Sequence, residues 1–288
     1  MLTALIWGLA FTAQRQSVDL MGGLTFGGVR FLLGAVSLIP VIAVFERGKT
    51  SPKERRDTLK YGVIVGVVLF IACTFQQYGI QITLSAGKSG FITGLYIVIV
   101  PILGLLFGRR TSPFTWIGAI VAVSGLYFIS VTDGLGSVGL GDVLLLIGAF
   151  FWAIHILTVD RFAKCLRSLR FSVVQFVVCG TLSLAGAFIF ETVRISDILN
   201  GIVPILYGGI ASVGVAYTLQ IIGQKHVEPS RAAIIFSLEA LFSAVGAAII
   251  LGERMTTRGY VGAGLIFAGI LLSQIVIKKR VQRLDVRR

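Results

Sequence analysis

Apolar residues in this chain run in unbroken blocks. Stretches free of Asp, Glu, Lys and Arg cover 1–14, 31–45, 61–87, 89–108, 111–132, 143–159, 171–190, 198–224 and 259–277. A tenth, 232–252, is interrupted only by Glu239. Wound as helices, blocks near 20 residues match the hydrocarbon thickness of a bilayer. Membrane strands would alternate in and out over ~10 residues, and these blocks do not alternate. The pattern predicts an all-α integral membrane protein with ten transmembrane helices, short connections and no separate soluble domain. The first block opens inside apolar sequence and meets Arg15 after fourteen residues. It lacks the basic leader and small-residue cleavage site of a signal peptide. Either the true start lies upstream, or the first helix runs past Arg15 to about Val18.

Composition narrows the class. Of 288 residues 56% are hydrophobic and 14% charged, with mean hydropathy +0.92, where soluble domains carry about one-quarter charged residues. The net charge of +13 would raise the question of nucleic acid, but the basic residues cluster between apolar blocks, which argues for no nucleic-acid partner. They report orientation instead. With an inside N-terminus, twenty of the 26 Lys and Arg fall on the cytoplasmic side, including Arg47 to Lys60, Arg161 to Arg170 and the tail 278–288. Arg15, Arg30, Lys88, Arg194, Arg254 and Arg258 fall on the outer side or at outer helix ends. The positive-inside rule then predicts a multi-pass protein of the plasma (inner) membrane with both termini cytoplasmic. Cys165 is expected in a cytoplasmic loop and the glycine-rich turn 132–142 outside. Three cysteines and dispersed His, Asp and Glu form no metal-ligand set, so no metal or other cofactor is expected.

The two halves resemble each other. A shift of 145 places Trp7 on Trp152, Phe26 on Phe171, Phe31 on Phe176, Phe45 on Phe190 and Glu46 on Glu191. A shift of 143 places Gln77 on Gln220, Gln81 on Gln224, Lys88 on Arg231 and Tyr96 on Glu239. A shift of 144 places Gly118 on Gly262, Gly125 on Gly269 and Gly108-Arg109-Arg110 on Gly252-Glu253-Arg254. Five helices is an odd number, so two like halves enter the membrane from opposite faces. That is an inverted repeat about an axis in the membrane plane, here 1–135 and 136–288, the second ending in the basic tail. Such a molecule has two nearly equivalent states, one open to each side, which predicts a transporter working by alternating access.

Leu5-Ile6-Trp7-Gly8-Leu9-Ala10-Phe11, Arg30-Phe31-Leu32-Leu33-Gly34-Ala35, Ser237-Leu238-Glu239-Ala240-Leu241-Phe242 and Leu251-Gly252-Glu253-Arg254 resemble the drug/metabolite transporter superfamily, specifically its ten-helix EamA-type members. The resemblance covers nearly the whole chain. It implies export or exchange of small metabolites, often amino acids. Two positions depart from the family pattern. Gly108-Arg109-Arg110 stands where Gly-Glu-Arg is frequent, and Ala240 stands where Pro often follows the glutamate, so the kink that Pro would supply in the ninth helix is not expected.

Polar residues inside the blocks are the candidate transport groups. Glu239 sits near mid-span, where an ionisable side chain is expensive and faces the bundle interior. It is read as a proton or substrate site, or as a packing hydrogen bond between helices. Tyr96 is its repeat mate. Trp7 and Trp152 are mates too, and Trp152 lies away from the interfacial belt, so an aromatic cavity wall and plain ring packing both fit. His155 shares a helix face with Trp152; a hydrogen-bonded structural role competes with titration. Gln77 with Gln81, and Gln220 with Gln224, each share a face and read as gates or as interhelical glue. Lys88 and Arg231 snorkel at helix starts; if they line vestibules instead, they favour an anionic or zwitterionic substrate. Pro101 should kink the fourth helix. Gly62/Gly66, Gly90/Gly94 and Gly104/Gly108 allow close helix approach.

Gly87-Lys88-Ser89 imitates the end of a phosphate loop, but Ile82 holds the place of the required glycine. The reading is a secondary transporter of small polar or amphipathic metabolites, with helices 1, 3, 4, 6, 8 and 9 around a midplane cavity. Proton coupling, exchange and a homodimer all stay open. Two rivals are a membrane-embedded enzyme acting on lipid-linked substrates, which would need clustered polar groups at one depth, and a non-transporting membrane subunit.

Overall fold

The computed structural model describes residues 1–48, 50–106, 108, 111–130, 139–250, 257–273 and 275. Among them the chain is helical, without strands. The helices are α1 (Leu2–Val18), α2 (Gly23–Phe45), α3 (Pro52–Thr83), α4 (Ala86–Gly94), α5 (Tyr96–Leu106), α6 (Pro113–Ser130), α7 (Leu140–Ala163), α8 (Ser168–Phe190), α9 (Ile195–Asn200) and α10 (Ile202–Leu206). A π-helical stretch (Tyr207–Tyr217) follows, then α11 (Thr218–Gln224), α12 (Pro229–Phe236), α13 (Leu238–Ile250) and α14 (Thr257–Ser273). The first helix does continue through Arg15 to Val18.

Six stretches are long and apolar enough to cross a membrane: Gly23–Phe45, Pro52–Thr83, Ala86–Leu106, Leu140–Ala163, Ser168–Phe190 and Ile202–Gln224. Pro113–Phe128 and Thr257–Ser273 are apolar but shorter. Large apolar side chains such as Val36, Ile39, Phe188 and Ile189 stay exposed, as suits a lipid-facing surface. The chain is a multi-pass membrane protein.

The strongest helix pairings join the first half of the chain to the second. α6 packs on α14 and α2 on α8; α3 packs on α7 and α8, while the π stretch packs on α1 and α2; α1 packs on α13, while α7 packs on α4 and α5. Exchanging the halves turns each pairing into itself or into another of the set. At the α6–α14 crossing, a Cβ on Gly118 would stand 2.5 Å from Gly269 O and one on Gly125 2.5 Å from Gly262 O. Only glycine permits this approach, and the two contacts interchange when the halves are exchanged.

The α2–α8 pair is antiparallel and clasped at both ends by a pair of repeat mates. Glu191, just past α8, accepts the Leu24 and Thr25 N–H groups at 2.8 Å each and the Thr25 hydroxyl at 2.7 Å. Glu46, just past α2, accepts the Leu169 and Arg170 N–H groups at 2.8 and 3.2 Å. Each carboxylate thus satisfies donors that open a helix, at its positive dipole end.

Two helices are broken at matching places. α4 and α5 are separated by Leu95, and α12 and α13 by Ser237. Beyond each break the backbone tightens to an i→i−3 bond: Val98 N–H to Leu95 O at 3.0 Å, and Ala240 N–H to Ser237 O at 3.1 Å. The sequence expectation placed the kink at Pro101, but α5 runs through Pro101 and the break lies six residues earlier. Nor does the ninth helix need proline to break. The Ser237 hydroxyl donates to Ile234 O at 2.7 Å, competing with the backbone ladder.

One end of the bundle joins the 46–54 connection to 161–170, through Arg167–Glu54 at 3.0 Å and an Arg170–Thr50 hydrogen bond. The other joins Arg15 to Leu84 O at 3.2 Å and Lys88 to Asp142 at 2.8 Å. Residues 109–110, 131–138, 252–254 and the basic tail 278–288 lie outside the described residues, and with them the Gly-Arg-Arg and Gly-Glu-Arg comparison and most of the glycine-rich turn.

Candidate functional site

The two helix breaks bring residues just beyond them together at the centre. Tyr96 opens α5 and Glu239 lies one residue into α13. The Tyr96 hydroxyl donates to Glu239 Oε1 at 2.9 Å, and both side chains are buried, at 3% and 4% exposure. Beside them lies a cavity of about 30 Å³. That holds a water or two and falls far short of the ~300 Å³ of a small-ligand pocket. α1, α2, α3, α4, α5, α7, the π stretch, α11 and α13 all supply walls.

Aromatic rings close the cavity. Trp7 lies 4.7 Å from Tyr217, 5.5 Å from Phe236 and 6.3 Å from Trp152, centroid to centroid. Trp152 stacks on Tyr217 at 5.8 Å. Each such pair contributes ~1 kcal/mol beyond burial, so the rings hold one another as well as the cavity. Trp152 Nε1 donates to Gln76 Oε1 at 2.5 Å, and Gln76 Nε2 donates to Gln14 Oε1 at 3.3 Å. The Trp7 N–H has no such partner.

Several of these contacts join residues that the constant sequence offsets align: Trp7 to Trp152, Phe31 to Phe176 at 6.1 Å and Tyr96 to Glu239.

The remaining sequence candidates separate. Gln220 lines the cavity, with both amide atoms buried and unpartnered. Gln224 donates to Ile156 O at 3.0 Å and ties α11 to α7. Gln77 donates to Gln14 O and Ser17 Oγ at 3.4 Å each, tying α3 to α1, and Gln81 packs against Gly23. His155 is fully buried behind Trp152, its Nε2 3.0 Å from Gln175 Oε1, and does not line the cavity. Lys88 and Arg231 sit at the bundle ends with Asp142 and Glu228.

Sequence reasoning missed Gln14, Gln76, Thr93, Ser212 and Arg30, all in the cavity wall. Arg30 was expected at an outer helix end. It lies instead within α2, 4% exposed, because Gly208 and Gly209 of the π stretch leave room for its stem and backbone. Among the described residues no three His, Cys, Asp or Glu side chains gather to hold a metal.

The profile of the EamA-like transporter family matches residues 1–131 and 139–275. An uncharacterized transporter of Archaeoglobus fulgidus is 29% identical over 97% of this chain and 84% of its own length. The uncharacterized transporter YoaV of Bacillus subtilis is 21% identical over 96% and 95%. The uncharacterized inner membrane transporter YedA of Escherichia coli K12 is 21% identical over 93% and 87%. One solved crystal structure, 18% identical, shares the fold with a TM-score of 0.75 over 94% of both chains.

Proposed function

The chain belongs to the EamA-like transporter family of the drug/metabolite transporter superfamily, and from that premise we propose a secondary transporter that moves a small polar or amphipathic metabolite by alternating access. In this reading ten helical rods cross the bilayer, counting α4 with α5, α10 through α11, and α12 with α13 as one each. Residues 1–135 and 136–288 are two five-rod repeats of opposite orientation. The antiparallel α2–α8 pair, the exchange-invariant helix contacts and the meeting of repeat mates are what an axis in the membrane plane requires. Both termini face the cytoplasm in an inner membrane, which the crowding of basic residues at one bundle end supports.

The observation that carries the transport reading is the Tyr96–Glu239 hydrogen bond, made where two broken helices meet beside a closed, partly polar cavity. Breaks in membrane helices expose backbone groups and supply hinges. Tilting the half-helices about Leu95 and Ser237 would enlarge the cavity toward one face or the other. Trp7, Trp152 and Tyr217 would form the walls around an apolar portion of the cargo; Gln220, Gln76 and Glu239 would meet its polar groups. Gln77, Gln81, Gln224 and His155 act as packing groups of the frame.

Flux into proteoliposomes from a pool of labelled metabolites, with and without a pH gradient, tests this. Net movement of at least one compound that protein-free vesicles do not take up is the expected result. No flux for any compound, under either condition and in either direction, would overturn it.

A further inference from the structure

The cavity wall holds a positive charge that the protein around it does not neutralise. Arg30 lies over two ring faces, with Cζ 4.9 Å from the Phe26 centroid and 5.2 Å from that of Phe31. It enters no salt bridge with a described carboxylate, and its Nε lacks a protein hydrogen-bond partner. A membrane-embedded arginine is costly, and the two ring faces offset part of that cost. The Cys73 side chain is within hydrogen-bonding reach of the guanidinium, and Nε is left without a partner.

The other half shows what a filled version looks like. The repeat mate of Arg30 at the 145 shift is Gln175, fully buried and bonded to His155. The mate of His155 is Ala10. Where the second half has an imidazole seated against an amide, the first has a methyl group and a guanidinium, and both line the cavity. Gly208 makes room for the arginine stem, since a Cβ there would stand 3.3 Å from Arg30 Cδ. Other unspent polar groups share the wall: Trp7 Nε1, Gln220 Nε2 and Oε1, and Thr93 Oγ1. Most of these can donate.

We propose that Arg30 anchors a buried anion subsite for the carboxylate of an apolar or aromatic organic acid, with the Trp7 and Gln220 N–H groups as further donors. Rings of Phe11, Trp152 and Tyr217 line the same cavity and suit the acid's body. Among the described residues Arg30 is the only Lys or Arg in the wall, and Glu239 stands in it too. This balance fits a monoanion better than a phosphate monoester, whose charge approaches −2. The assignment rests on the transporter reading and names the chemistry of the same site.

The test uses the full chain in nanodiscs, titrated with 3-phenylpropionate, with its neutral amide and with inorganic phosphate, and read by tryptophan fluorescence. The acid is expected to bind at least about tenfold more tightly than the amide, and phosphate not to compete. Arg30→Gln, which installs the mate's side chain, should bring acid and amide within about twofold of each other. Arg30→Lys should keep the preference at weaker affinity, since a point charge replaces a fork. Equal binding of acid and amide, no binding of either, competition by phosphate, or a Gln variant that folds and still discriminates would overturn the subsite. Proteoliposome flux of the same probes separates the two claims. Acid bound but not moved would contradict transport and leave the subsite; acid and amide moved alike would do the reverse.

Discussion

Single side chains set the character of the centre. Glu239 accepts from Tyr96 and lines a cavity with room for a water or two, so its charge state and its partner are coupled. Glu239→Gln keeps the size and a hydrogen-bonding oxygen while removing the titrating group. The variant should express and melt like the parent, and its flux should fall or lose its dependence on pH. Flux that keeps both its rate and its pH profile would remove Glu239 from the pathway. Glu239, Tyr96, Trp7, Trp152 and Gln220 were legible in the sequence because polar or indole groups inside long apolar blocks are rare, and repeat mates pointed to one another. Gln76 was not. It adjoins Gln77, and the two point about 100° apart on a helix; only the packing partner, Trp152 for one and α1 for the other, decides which faces the cavity. Arg30 was missed for a different reason. Starting a block after Arg30 puts it at a helix end, and nothing local says that Gly208 and Gly209, nearly 180 residues away, open a space for it.

At the scale of elements, the molecule is built from long helices held by glycine crossings, end clasps and deliberate breaks. The Glu46 and Glu191 clasps occupy equivalent places at opposite ends of the α2–α8 pair. Each satisfies two N–H groups that open a helix. Glu191→Ala and Glu46→Ala should each destabilise the protein by about 1–2 kcal/mol, seen as a lowered melting temperature in detergent. Gln at either position should lose less. Melting temperatures unchanged by both Ala variants would show the clasps to be incidental. Block length and continuity foretold the long helices. The breaks left no such trace: Leu95 is an ordinary helix former, and Ser237 acts through a back-bond to Ile234 O that many mid-helix serines also make. The π stretch likewise has no pattern of its own. Its three glycines at 208, 209 and 214 read equally well as ordinary small-residue packing.

For the whole molecule the account makes two claims, about orientation and about motion. Orientation follows from basic residues at one bundle end. Cys165 is exposed at that end, while Cys73 and Cys179 are buried. An impermeant thiol reagent applied to intact right-side-out cells should therefore leave the native chain unlabelled, and label Cys165 once the membrane is opened. Labelling of Cys165 in sealed cells would reverse the topology. The expected repeat rests on Trp7/Trp152, Phe31/Phe176 and Gln77/Gln220, which keep nearly constant offsets; that Trp7 would touch Trp152 is not readable from an offset. Motion is the central claim. Ala10 lines the cavity and is 2% exposed in this structure. The most direct measurement places a cysteine there, in a chain whose three native cysteines are replaced, and applies an impermeant thiol reagent to each face of the membrane in turn. A carrier that opens alternately predicts modification from both faces, each slowed by saturating cargo. Modification from one face only, or from neither, would contradict it.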